Sequence, residues 1–245
     1  MTFYMKEDRR MNRKGQKVSG IGKVLIIAFL ALALSIATVV PAIAADEEEA
    51  QGIVDNARVT FNNFMRDKNY GWLHEHLKDA KGLLIFPQVL KAGFIFGGSG
   101  GTGVLVVRDE ATGDWSQPAF YTIGSVTFGL QIGGQAAEVI MMAMSQKAID
   151  SLFASSFKLG GDTSIALGPV GIGAKGNITA DFISFAISKG LYAGVNLEGS
   201  VVDVRDSLNN AYYGKAVRPV DIIAKKEVSN KGSEKLREEL KKATK

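Results

Sequence analysis

The chain has 245 residues, 29 Lys and Arg against 25 Asp and Glu, 46% apolar residues, 28 Gly, two His and no Cys, a size that suits one ordinary domain with short appendages. The lack of cysteine excludes a disulfide framework, a thiolate nucleophile and Cys-ligated zinc, and two histidines leave little for a multi-His metal centre. The formal charge of +4 is concentrated at one end: residues 1–44 hold seven basic and two acidic side chains and the other 201 hold 22 and 23, so no nucleic-acid partner is expected.

Residues 1–23 are polar and basic, Val24–Val40 carries no charge, and Ala42-x-Ala44 supplies the small residues that a signal peptidase needs. The segment reads as a signal peptide over 1–44, with the acidic run Asp46–Glu49 on the translocated side. Its alternative is a single N-terminal membrane anchor, because 17 apolar residues are at the short limit for a span. No Cys follows, so a lipid-modified N-terminus is excluded. The expected location is exported, periplasmic or extracellular, peripheral to a membrane.

Next comes an amphipathic helix: Ile53, Val54, Ala57, Phe61, Phe64 and Met65 recur at three- and four-residue spacing. Asn69-Tyr70-Gly71 stops it, and a shorter helical piece follows over Trp72–Asp79. These make an N-terminal helical segment, 45–79. From Gly82 the pattern turns to β, with strands at Leu83–Phe86, Ala92–Phe96, Val104–Val107, Trp115–Val126, Val139–Met144, Ser164–Leu167, Phe182–Ile187 and Leu191–Val204. Asp109–Asp114 has hairpin-loop chemistry. Ser145 caps a helix carrying Ala148, Ile149, Leu152 and Phe153 on one face, and Asp206–Tyr212 makes a turn or two. The main domain covers 80–223, and the charged tail 224–245 reads as a solvated or frayed helix.

The glycine runs 97–103 and 168–176 imply sharp bends, bulges or close backbone approach in a curved sheet. Gly98-x-Gly100-x-x-Gly103 matches a dinucleotide fingerprint in form, but a strand follows where the phosphates need a helix N-terminus, so a tight hairpin is the better reading. His74-Glu75-His76 has neither zincin spacing nor a third ligand. No Gly-x-Ser-x-Gly lies between a strand and a helix, and no sequence feature pairs the scattered carboxylates Asp162, Asp181, Glu198 and Asp203. No catalytic residue, metal site or cofactor is assigned.

Four segments then fall into an order: Gly113-Asp114-Trp115-Ser116-Gln117-Pro118-Ala119-Phe120, Gly129–Gly133, Gly168-Pro169-Val170-Gly171, and Ser188-Lys189-Gly190-Leu191-Tyr192-Ala193-Gly194 running on to Gly199, followed by Asn210-x-x-Tyr213-Gly214. In that order they resemble the SYLF family, a lipid-binding module found also in eukaryotic actin-patch proteins, over about Ala80 to Ile223. The resemblance implies phospholipid binding without catalysis. Phosphoinositide choice and actin bundling are not carried over: the first helix here has mixed charge after Asp46–Glu49, and export would separate the chain from actin.

The expected fold is α+β: one domain with a curved, mostly antiparallel sheet or partial barrel covered by the N-terminal amphipathic helix and short helices. The expected function is a non-enzymatic phospholipid-binding protein of the cell envelope, with lipid contacts at Phe94, Phe96, Trp115, Phe120, Lys175, Lys189 and Tyr192. The alternative is a structural or scaffolding envelope protein that binds another protein.

Overall fold

The computed structural model describes residues 45–93, 96–128, 133–189 and 197–245. The leader read in residues 1–44 lies outside these.

The N-terminal helix α1 covers 45–66, longer than its apolar stripe because the acidic residues 46–49 also suit a helix N-terminus. A 3-10 turn leads into α2 (Gly71–His76). The strands are β1 (Gly82–Gly93), β2 (Phe96–Val107), β3 (Ala119–Phe128) and β4 (Gly133–Ala143), then β5 (Ser156–Lys158), β6 (Ile165–Leu167), β7 (Phe182–Lys189) and β8 (Val201–Val204). Helix α3 (Gln146–Leu152) follows β4, and α4 (Asp206–Tyr213), α5 (Pro219–Ile223) and α6 (Glu234–Ala243) complete the chain. Among the described residues, eight strands join one curled half-barrel sheet in the order β5-β8-β3-β2-β1-β4-β7-β6, antiparallel except for the β6–β7 pair. The expected α+β class and curved sheet are what the chain forms.

Runs such as Leu83-Leu84-Ile85-Phe86 and Val139-Ile140-Met141-Met142 are continuously apolar because both sheet faces are buried there. Leu83, Ile85, Val104, Ile140 and Phe185 meet α1, α2, α4 and α6. Leu84, Phe86, Leu105, Val139 and Met141 meet α3, α5 and Phe157 of β5. Ser145 caps α3 as expected, its Oγ accepting from Ala148 N at 3.0 Å.

Several readings are corrected. Gly98–Gly103 is no tight hairpin but the interior of β2. Opposite it β1 bulges around Pro87, between Phe86 and Val89, where proline has no N–H to give the ladder. A Cβ at Gly101 or Gly103 would collide with the carbonyl oxygens of Gln88 or Ile85. Ala92–Phe96 is not one strand: β1 ends at Gly93 and β2 begins at Phe96. Within the run expected as a strand from Leu191 to Val204, residues 190–196 lie outside the described residues, and Leu197–Ser200 is a turn with Gly199 at φ 83°. The tail is not solvated: Leu236 and Leu240 of α6 are buried beside α1, and Arg58 pairs with Glu239 at 3.0 Å. β5 and α5 had no expectation, being too short to show a period.

Candidate functional site

Side chains singled out for chemistry serve the fold. His74 Nε2 bonds Phe64 O at 2.8 Å, and the His76 ring stacks on Trp72 at 3.9 Å while its Nδ1 bonds Trp72 O. Asp162 accepts from Lys158 N in a turn. Asp181 accepts from Ser145 Oγ at 2.6 Å and from Ser164 N and Oγ, tying the cap of α3 to the start of β6, and the Ser145 hydrogen bond leads in lowering its pKa to about 2. Among the described residues no group of three His, Cys, Asp or Glu converges as metal ligands.

Of the proposed lipid contacts, Trp115 is 1% exposed and Phe120 0%. Trp115 Nε1 donates to Thr244 Oγ1, and the Phe120 ring meets Tyr212. Both side chains are spent on the interior, which leaves them no surface for a lipid. Lys175 is exposed, in the segment between β6 and β7. Phe96 opens β2 and Lys189 closes β7; Phe94 and Tyr192 lie outside the described residues. The register sets Phe96 beside Phe128, Gly93 beside both Gly97 and Gly133, and Lys189 beside Ala136. The sheet thus brings Phe96 and Lys189 to one end and keeps Trp115 and Phe120 at the other.

That glycine-rich end runs out past the helices. Directly paired residues share a sheet face, so Leu90, Gly100 and Gly124 lie on one face, as do Gly98 and Val126. Leu90 is 53% exposed and Val126 75%. Between them the glycines leave a nearly flat floor: a Cβ at Gly98, Gly100 or Gly124 would meet nothing closer than ordinary contact. On the reverse face Ser99 and Ser125 share a hydrogen bond at 2.7 Å.

A second apolar surface, missed in the sequence, follows β6. Leu167, Val170 and Ile172 are 56%, 55% and 83% exposed, on a segment fixed at three points. Gly168 N donates to Ser184 O at 2.9 Å, Gly171 N to Asn69 O at 2.8 Å, and Trp72 Nε1 to Gly176 O at 3.0 Å. Gly168 lies so close over the Phe185 ring that a Cβ would overlap it, and Gly171 and Gly173 take φ 129° and 75°, which favour glycine. The backbone is therefore held while the side chains project. Lys68, next to Asn69, and Lys175, within the segment, are exposed. The signal lay in Pro169-Val170-Gly171-Ile172-Gly173: apolar residues separated by turn formers cannot reach a strand's ladder. Among the described residues no helix is long and apolar enough to cross a membrane.

The Asn210-x-x-Tyr213-Gly214 pattern is structural. Asn210 Oδ1 accepts from Val217 N at 2.9 Å, Tyr213 OH donates to Pro118 O at 2.6 Å, and Gly214 takes φ 67° at the end of α4.

Residues 124–243 match the family described as Ysc84: Las17-binding protein actin regulator. An SH3 domain-containing protein of Schizosaccharomyces pombe is 40% identical over 161 residues, 62% of this chain and 36% of the relative. Human SH3 domain-containing YSC84-like protein 1 is 34% identical over 149 residues, 59% of this chain and 43% of that protein. Protein YSC84 of Saccharomyces cerevisiae is 37% identical over 146 residues, 56% of this chain and 31% of its own length. The chain thus spans less than half the length of these relatives. No solved structure matches. The expectation that actin is no partner finds no support here, since the matching family is described as an actin regulator.

Proposed function

The chain belongs to the SYLF family, to which Ysc84 gives its other name, and on that premise we propose that it is an exported, non-enzymatic protein that associates with membrane phospholipid. The observation that carries the reading is the held loop after β6, which keeps Val170 and Ile172 in water at the cost of ordering them. Inserting Leu167, Val170 and Ile172 among acyl chains recovers on the order of 5 kcal/mol, enough for reversible surface contact and far short of a transmembrane anchor. Lys68 and Lys175 would meet anionic headgroups, at about 1 kcal/mol each. The face between Leu90 and Val126 adds apolar surface.

Sedimentation of the chain from residue 45 onward with phosphatidylcholine vesicles, with and without phosphatidylglycerol, tests this. The expected result is binding at low salt, stronger with the anionic lipid, that falls at least tenfold in Ile172→Asp. Absence of wild-type binding to both vesicles would overturn it. One observation favours a second reading, a protein partner: the family is described as Las17-binding. Crosslinking in intact cells that recovers a protein through Leu90 or Val126 positions, without lipid, would favour it.

A further inference from the structure

At the other end of the strands, where β1 begins and β2 ends, lies a cleft of about 670 Å³ between the 108–117 turn region, α3, α5 and α6, within the usual range for a small-molecule site. Ile149, Phe153, Ile222 and Val228 make part of its lining apolar. Its charged lining is unevenly satisfied. Glu110 is paired with Lys81, Asp109 with Lys226 at 2.8 Å, and Asp114 with Lys241. Those lysines, by hydrogen bonding, hold all three carboxyls below their usual range, Asp109 at about 2, so these carboxylates stay ionised near neutral pH.

Neither arginine forms a close ion pair among the described residues, although Arg108 lies near enough to Glu110, and Arg237 to Asp114, to add to the lysines' effect on those carboxyls. Arg108 gives one N–H to Lys78 O, and its Nε is shielded from solvent with no partner. Arg237 gives its Nε to Trp115 O at 2.8 Å. Trp115 in turn pairs with Arg108 through a β-bridge, which brings both guanidinium-bearing segments against one residue. Each guanidinium has five donors in a planar fork suited to an oxyanion, and most remain unspent.

We infer that this cleft binds a single-chain amphiphile with an anionic head, carboxylate or phosphate, its head on Arg108 and Arg237 and its alkyl chain along the partly exposed Phe153 and Val228. The site shares no residue with the loop after β6, so it stands or falls apart from contact with a bilayer.

Calorimetric titration of the full chain with octyl phosphate, octanoate, 1-octanol and inorganic phosphate tests it. One of the two anionic octyl compounds should bind saturably, at least tenfold more tightly than octanol or phosphate alone, and whichever binds more tightly names the head. Arg108→Gln and Arg237→Gln should each weaken that binding at least tenfold. Val228→Glu, at a partly exposed position on the cleft wall, should do the same by placing a negative charge in the cleft while unfolding stays cooperative. Ile172→Asp should bind as wild type. Octanol binding as tightly as the anionic compounds, inorganic phosphate binding as tightly as octyl phosphate, or full affinity in Val228→Glu would each overturn the inference.

Discussion

Asn209 shows what a single buried polar side chain does here. It is 0% exposed, and its Oδ1 accepts from Phe120 N at 2.9 Å while its Nδ2 faces Phe120 O at 3.4 Å, so it completes the backbone of β3 where no strand residue does. Asn209→Ala would strand that N–H in the core, and urea unfolding should show a loss of about 2–4 kcal/mol. Asp181 acts through charge. Its folded pKa is lowered from 3.8 to about 2, chiefly by the Ser145 hydrogen bond, so its stabilising contribution is complete above the ordinary carboxylate range and is lost as pH falls toward 2. Asp181→Asn should therefore lose stability at neutral pH and show a shallower decline than wild type between about pH 4 and 2. Neither role was legible in the sequence. Asp181 was one of four scattered acids, and its partners Ser145 and Ser164 lie 36 and 17 residues away. The Ser145 cap was legible, because its acceptor and donor are three residues apart.

Among the elements, β2 owes its glycines to two different demands. Gly101 and Gly103 lie against the β1 bulge, where Ala would meet backbone oxygen, whereas a Cβ at Gly98 or Gly100 would make only ordinary contact. Gly103→Ala should cost about 1–3 kcal/mol or more in chemical denaturation, and Gly100→Ala should be neutral or slightly stabilising, since glycine is itself a poor strand former. The sequence announced curvature through its glycine density but not which glycine does what, since that depends on a bulge in the neighbouring strand. Helix α6 teaches a similar lesson. Leu236 and Leu240 are four residues apart in a segment otherwise dominated by charge, which concealed an apolar stripe only one residue wide per turn. Their burial against α1 makes the tail part of the core, and Leu240→Ala should destabilise by about 2–5 kcal/mol in thermal or urea unfolding. Long periodic elements such as α1 were read correctly because their pattern exceeds two turns.

Among the described residues, the helices cover both faces of the sheet at one end, while Leu90 and Val126 at the glycine-rich end are exposed. This division explains why the aromatic residues of the Gly113–Phe120 segment were misjudged: sequence shows that Trp115 and Phe120 are large and apolar, not that α4 and α6 close over them. Among the described residues, the apolar surface that remains in water includes Leu167, Val170 and Ile172 on the fixed loop and Leu90 and Val126 on the sheet face. If phospholipid contact is made there, the loop enters the acyl region while the buried indoles of Trp72 and Trp115 stay within the domain. Depth-dependent fluorescence quenching follows directly: with Ile172→Trp in vesicles containing brominated phosphatidylcholine, the added indole should be quenched on vesicle binding while the wild-type tryptophans are not. Vesicle-bound Ile172→Trp protein whose emission is as insensitive to bromolipid as that of wild type would contradict the account.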